Sequence, residues 1–525
     1  MSNIESPGEA PGRGRPATKA PKGPKSSKHK KIRYVPMEGV EGMEDIQLYN
    51  EGGYHPIHIG EILHRRWKVV HKLGHGGFAT VWLCWEIKTP KWKAVKVMTA
   101  DHSADENDLT MIKFMTGGQS QQTMLAQSHL DVDISGFWLD GPNGRHLCFM
   151  SDVHGCAVTT WSSTQDSTKQ STAAAITSVC HQVAKSVRFL HDRGICHGDL
   201  KPANILMRLQ GIEKLSKAEL LRLTGKPQQV NTQTVSGKSP KGHAPEYLVE
   251  KLPSEWCQDL VTPSVAIIDF GHAFRVGFPS KTATTATPYA APEVMLEDAP
   301  GSASDIWSLA CTIYEIKTNR TLFESSKGEG VRDTLDEITR YLGPLPEAYR
   351  TSEQTNHVSS TQAIASRETF EETLGSERQI LRSVPNYERL PPNEQFQTIT
   401  YRYPQEEVPK LADLLKSMLK YNPAERTSSE QVCNHPWFGV YNKHSMYNKL
   451  PRLMANILFW LLVIVALAMV WPGTKPAIYS AARSMYHVFQ PQGESCPKVV
   501  TLNIVAPSQG PFDYSQVLQL GGSSI

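Results

Sequence analysis

The sequence predicts an α+β fold followed by one membrane-spanning helix, and three observations carry that expectation. Leu73 to Val81 reads as a strand, a glycine-rich turn and a second strand, and Lys93 to Val97 alternates apolar and polar side chains as a half-buried strand does. Asp108-Leu109-Thr110-Met111-Ile112-Lys113-Phe114-Met115 instead places its apolar residues at helical spacing. Far beyond, residues 453–471 form a 19-residue run whose only strongly polar member is Asn456.

Taken in chain order, the strands come first. In Leu73-Gly74-His75-Gly76-Gly77-Phe78-Ala79-Thr80-Val81, Gly74 and Gly76 let backbone N–H groups approach a phosphate with no Cβ in the way. Lys96, within Lys93-Ala94-Val95-Lys96-Val97, follows on the next strand. A polar loop then combines three chemistries in His197-Gly198-Asp199-Leu200-Lys201-Pro202-Ala203-Asn204: a carboxylate, an ammonium and a carboxamide at fixed offsets. About 65 residues later Asp269-Phe270-Gly271 supplies a second carboxylate. Phosphoryl transfer from ATP uses such a set.

These motifs, in this order, resemble those of protein kinases. The resemblance implies two lobes within 67–438: a small, mainly-β lobe over about 67–155 and a large, mainly-α lobe over about 156–438. It implies that Asp199 accepts the proton of the attacking hydroxyl and that Lys201 neutralises charge on the moving phosphate. Asn204 and Asp269 would hold Mg²⁺. ATP would lie against Leu73, Gly74, His75, Gly76, Gly77, Phe78, Ala79, Val81, Ala94, Lys96 and Leu206. Ala79 departs from the third glycine of the family's loop. Lys96 needs a carboxylate on the following helix, where the family has Glu and this chain has Asp108, one methylene shorter. An ungapped match puts Met111 there instead; Asp108 keeps the apolar face continuous.

The later half carries structural marks of the same family. Ala291-Pro292-Glu293 closes the activation segment, and Ser304-Asp305-Ile306-Trp307-Ser308-Leu309 resembles the start of a central helix whose Asp braces the catalytic loop. Arg426 resembles the arginine that pairs with Glu293, and His435-Pro436-Trp437-Phe438 ends the domain.

A narrower resemblance rests on three further stretches. Gly52-Gly53-Tyr54-His55-Pro56-Ile57, Val81-Trp82-Leu83-Cys84-Trp85-Glu86 and Gly141-Pro142-Asn143-Gly144-Arg145-His146-Leu147-Cys148 resemble the SR-protein kinases, with residues 46–66 as the family's lead-in. This implies serines of Arg/Ser-rich or basic proteins as substrates, with Ser151 at the back of the ATP pocket and Asp152-Val153 as the hinge. It also implies a spacer, here about 208–264. The polar centre of that spacer, 225–243, is expected to be disordered, between a short amphipathic helix at 215–223 and a strand at 245–249. Gly198 replaces the arginine that many kinases satisfy with an activation-segment phosphate, which implies activity without that modification. The run Thr282 to Thr287 offers hydroxyls but reads as a flexible loop. Residues 293–438 hold 23 acids against 15 bases, suited to basic substrates, and Glu329, Asp333, Asp336 and Glu337 fall where the family builds a docking groove.

Nine cysteines are scattered without a Cys-x-x-Cys pair, which excludes a disulfide framework and suits a reducing compartment without a zinc site. Residues 1–45 are rich in Pro, Gly and Lys and are expected to form a disordered basic tail, and residues 1–33 contain no apolar core of signal-peptide length. The basic run at 25–33 reads as a solvated tail, with importins, acidic lipid or RNA as the alternative partners of its charge, and no sequence-specific nucleic-acid binding is expected. After a basic linker at 439–452, the run 453–471 would extend about 28 Å as a helix, the thickness of a bilayer core. Lys443, Lys449 and Arg452 before it place the kinase on the cytosolic side of a single-pass membrane protein; Trp471-Pro472-Gly473 ends it. The alternatives are a helix buried on the kinase core and, as for soluble SR-protein kinases, a place in cytoplasm and nucleus. Residues 472–525 form a tail without a readable motif. Two function classes follow: a membrane-tethered serine/threonine kinase, or a kinase-fold scaffold with weak or no activity, which Asp108 and Ala79 would suit.

Overall fold

The computed structural model describes residues 31–36, 42–103, 128–132, 136–165, 169–238, 240, 242–278, 285–324, 330–349, 369–375, 378–383, 396–401 and 406–440. The smaller lobe is an antiparallel sheet of six strands: β1 (Ile62–Leu63), β2 (Trp67–Gly76), β3 (Ala79–Glu86), β4 (Trp92–Met98), β5 (Gly136–Gly141) and β6 (Gly144–Ser151), in the order β1-β2-β3-β4-β6-β5. Alternation sets its inner face. Trp67 and Val69 on β2, Trp82 and Cys84 on β3, and Val95 and Val97 on β4 meet Cys148 and Met150 in one buried cluster. The glycine turn closes the β2–β3 hairpin, with Gly74 opposite Val81 and Gly76 opposite Ala79.

The larger lobe is mainly helical. In α1 (Gln170–His191), Ile176, Val179, Cys180, Val183, Val187 and Leu190 recur at three- and four-residue steps and are buried, as an amphipathic helix on a core requires. In α2 (Ser302–Thr318) no face is left for solvent; residues from Ser304 to Tyr314 are all buried, which makes it the central helix of the lobe. Between the lobes β7 (His154–Ala157), β9 (Ile205–Leu209) and β12 (Val261–Ile267) form a small sheet, and β8 (Ile195–Cys196) pairs β13 (Phe274–Arg275). These short pairs frame the loop 197–204 and hold it against Ile268 and Asp269.

Two segments expected to be disordered are ordered where the structure describes them. The end of the basic tail, 31–36 and 42–45, packs on the kinase: Tyr34 and Ile46 are buried with Tyr49, Tyr54, Ala244 and Leu248. The spacer centre supplies the opposite wall. Strand β10 (Gln229–Asn231) pairs with β11 (Tyr247–Val249), and Tyr34 bridges Thr234, with Val35 N–H donating to the Gln233 carbonyl at 2.8 Å. Polar composition misled because backbone pairing carries much of this contact, and any residue but proline can donate in it. The spacer flanks match expectation: Lys217–Thr224 is a helix closed by a Ser216–Glu219 capping box, and Tyr247–Val249 is a strand.

The proposed acidic groove is only partly supplied. Asp333 is 7 % exposed, Arg340 reaches Glu337 at 3.2 Å, and Glu329 lies outside the described residues. Also outside them lie Asp108, Met111, residues 1–30 and the whole of 441–525, with the run 453–471. Among the described residues no helix is long and apolar enough to cross a membrane. The eight cysteines the structure describes are all free.

Candidate active site

Asp305 builds the floor of the site. Fully buried near the start of the central helix, it accepts from the backbone N–H of His197 at 2.7 Å and of Gly198 at 3.0 Å, and it meets His191 Nε2 at 3.0 Å. Burial alone would raise this carboxyl, but His191, His197 and the Gly198 N–H outweigh burial and hold it below the usual value. A fixed carboxylate thus fixes the backbone just before Asp199.

Asp199 is buried, and its two carboxylate oxygens differ. Oδ2 accepts from Lys201 Nζ at 2.6 Å and from Asn204 Nδ2 at 3.1 Å, while Oδ1 has no partner among the described residues. A buried carboxylate oxygen without a donor is costly unless a ligand supplies one. Asn204 Nδ2 also donates to the Asp199 carbonyl at 2.8 Å, so the amide nitrogen is used inward and the amide oxygen remains for another partner.

The second carboxylate comes from the end of β12. Asp269 adopts a left-handed φ of 67° and meets Lys96 Nζ at 2.8 Å across the lobes. Burial favours its neutral form, yet the Lys96 ammonium with its hydrogen bond, and then His197 and His272, hold the carboxyl below its usual value. Lys96 stands on β4 between Val81 and Phe149, which directs it under the glycine turn. Lys96, Asp199, Lys201, Asn204 and Asp269 are therefore brought into one site. The Asn204 oxygen and the Asp269 carboxylate are hard oxygen donors, and that donor set fits Mg²⁺.

The nucleotide-lining residues surround this centre. A Cβ built at Gly74, Gly76 or Gly77 would meet no atom of the chain within 4 Å, so the turn leaves a cradle that side chains would fill. Phe78, largely exposed, lies 4.1 Å from the ring of His102 and 6.3 Å from His272, and buried Ala79 faces Met98. Ala94 is buried opposite Ser151, the last residue of β6. Asp152 is exposed and pairs with Lys93 at 2.8 Å. Partial desolvation would raise its carboxyl, but Lys93, then His154 and Arg208, outweigh that and hold it below the usual value. Val153 is buried with Leu83, Ile212 and Leu220, a cluster against which Leu73 packs, so hinge and spacer share one core. Leu206 lies opposite both Ala157 and Ala266.

Several contributors were not read as site residues. Tyr54 donates its hydroxyl to the Gly76 carbonyl at 2.6 Å, and Thr285, read as part of a flexible run, donates to the Gly198 carbonyl at 2.6 Å. The lead-in motif around Tyr54 was visible; its contact with the glycine turn, 22 residues on, was not. Gly198 has a φ of 76°, and a Cβ there would lie 2.3 Å from the His272 carbonyl oxygen, so a side chain could enter only if the backbone moved. Glu293 is buried and held by both guanidinium nitrogens of Arg426 at 2.6 Å.

Comparison with known proteins agrees with this geometry. The protein kinase domain family matches residues 67–255 and 257–438, most of the chain. A serine/threonine-protein kinase SRPK of Physarum polycephalum is 26 % identical over 420 residues, covering 75 % of this chain and 91 % of that protein. The SRSF protein kinase 3 of Mus musculus is 24 % identical, covering 75 % of this chain and 90 % of its own. A dual specificity protein kinase CLK1 of Mus musculus is 24 % identical, with 75 % and 71 % covered. The chain belongs to the protein kinase family, and within it is similar to serine/threonine kinases of the SR-protein-kinase type.

Proposed function

We propose that the protein transfers the γ-phosphate of ATP to serines of Arg/Ser-rich or otherwise basic proteins, active without a phosphate on its activation segment and tethered to a membrane by residues 453–471. The observation that carries the chemistry is the free, buried Asp199 Oδ1 beside Lys201 and Asn204, opposite the Lys96–Asp269 pair. A substrate hydroxyl would donate to Asp199 Oδ1 and lose its proton there as the phosphate is attacked. Lys201, 2.6 Å from Oδ2, both orients that carboxylate and offers positive charge to the transferring group. Lys96 would hold the α- and β-phosphates beneath the glycine turn. Mg²⁺, when bound by Asn204 and Asp269, would neutralise the phosphate oxygens.

The substrate class is supported by likeness to kinases named for SR proteins and by the acid-rich sequence of the larger lobe. Independence from activation-segment phosphorylation is supported by Gly198, which leaves no cation there to neutralise. The tether is supported by the length and apolar character of 453–471 alone. A radiolabel transfer assay on an Arg/Ser peptide, beside a peptide with Arg replaced by Gln, tests the reading. Transfer to the first and little to the second is expected. No transfer to any basic peptide would favour a kinase-fold scaffold.

A further inference from the structure

The glycine turn is gripped from outside the sheet by residues that no phosphate would touch. Lys72, four residues before Gly76, forms an ion pair with Glu44, and both side chains are 0 % exposed. Glu44 also accepts from the Tyr49 hydroxyl at 2.6 Å, and the Lys72 ammonium lies 5.0 Å from the Trp82 ring. Tyr54, 2 % exposed, then donates to the Gly76 carbonyl at 2.6 Å. Burial, with Glu44 and Asp45 near, pushes the Tyr54 phenol up to about 12, so it remains a neutral donor.

Tyr54 is itself held in place. Its carbonyl accepts from Asn143 Nδ2 at 2.6 Å, and the same buried amide donates to the spacer's His243 carbonyl at 2.7 Å. Ala100 N–H donates to the neighbouring Gly53 carbonyl at 3.0 Å, and the Tyr49 ring packs edge-on at 5.4 Å. From the spacer, Leu252 N–H donates to the Lys72 carbonyl at 2.9 Å and Lys251 N–H to Gly42 at 3.1 Å. Lead-in, hairpin turn and spacer thus converge on one strap.

We propose that Tyr54 is a positioning residue for nucleotide binding, acting through the Gly76 carbonyl to set the glycine turn before the phosphates arrive. A turn with three glycines among residues 74–77 has more backbone freedom to lose than any other part of the sheet. Whatever restricts it beforehand lowers the ordering cost charged to nucleotide affinity. Gly76 is exposed, so water can replace the phenol as a donor to its carbonyl. Removing the hydroxyl therefore costs position rather than desolvation.

The inference rests on residues 73–81 being the phosphate-binding turn, and Tyr54→Phe in the full-length protein tests it. Removing only the oxygen is expected to weaken MgADP binding, followed by a fluorescent ADP analogue, about three- to tenfold, the size of one net hydrogen bond. KM for ATP should rise by the same factor while kcat stays within about twofold. Amide exchange over 73–80 should quicken, and the melting temperature of the nucleotide-free protein should barely move. Wild-type affinity and wild-type exchange in Tyr54→Phe would overturn the role. So would a lowered melting temperature with unchanged affinity, which marks ordinary packing. Absence of MgADP binding to the unsubstituted protein would overturn the nucleotide site along with it.

Discussion

Thr285 donates its hydroxyl to the carbonyl of Gly198 at 2.6 Å, tying the activation segment directly to the loop that carries Asp199. The tie uses a neutral hydroxyl where many kinases use a phosphate and an arginine. An added phosphate at Thr285 would bring close to two negative charges beside Asp199. Phosphatase-treated protein made in a bacterial host should therefore match untreated protein in rate within about twofold. A large loss on dephosphorylation, restored by a phosphate on Thr284, Thr285 or Thr287, would contradict it.

Asp199→Asn should lower kcat by roughly 10²–10⁴-fold, the usual contribution of a positioned proton acceptor, while nucleotide affinity changes little. The amide could still accept from Lys201 but could no longer take the hydroxyl proton. Lys96→Met should act differently, raising KM for ATP and lowering kcat together, because it frees Asp269 from its 2.8 Å partner. Steady-state kinetics alongside nucleotide titration separates the two patterns.

Arg426→Ala should destabilise the larger lobe by about 3–5 kcal/mol, the cost of leaving a buried charge unpaired. Glu293 would lose both guanidinium bonds while remaining buried. Arg426→Lys should recover little, since an ammonium cannot reproduce the two-pronged contact. Urea denaturation followed by intrinsic fluorescence measures this; a loss below about 1 kcal/mol would show that the pair is dispensable.

The catalytic residues were legible because their chemistry is written at short spacing: Asp199, Lys201 and Asn204 occupy a single loop whose own geometry brings them together. Lys96 and Asp269 lie 173 residues apart; the motif around each marked it as a site residue, but the sequence paired Lys96 with Asp108, and its contact with Asp269 was not foreseen. The strap was not legible. Glu44 and Lys72 are ordinary surface residue types 28 positions apart, and nothing in their neighbours announces that both are buried. Tyr34 and Thr234 meet mainly through main-chain bonds, which leave no mark in composition. Thr285 sits in a threonine-rich run, where hydroxyls commonly signify only a polar loop.

Histidine burial predicts an acid-side loss of stability. His55 is buried against His146 with its Nδ1 unpartnered among the described residues, and burial, then His146, lower it from 6.5 to about 4. The unfolded chain then binds the extra proton first. This contribution is fully present above pH 6.5 and is lost as pH falls towards about 4, reaching roughly 3 kcal/mol for the one side chain. His55→Gln should show a shallower decline of unfolding free energy between those pH values. Denaturant titrations at half-unit pH steps test this, and an unchanged slope would remove His55 as the cause.

The last expectation concerns the run 453–471, which stands on sequence alone. Full-length protein should sediment with membranes and resist extraction by high salt or alkaline carbonate, because 19 mostly apolar residues spanning a bilayer bind far more strongly than a basic surface patch. Ending the chain near residue 440 should release a soluble kinase, since Arg426 and the Trp437–Phe438 packing are retained. That shorter protein should phosphorylate Arg/Ser peptides at the rate of the full chain in detergent. Two results would favour a helix buried on the kinase core instead: a full-length protein that stays in the supernatant, or a shortened one that aggregates while the full chain does not.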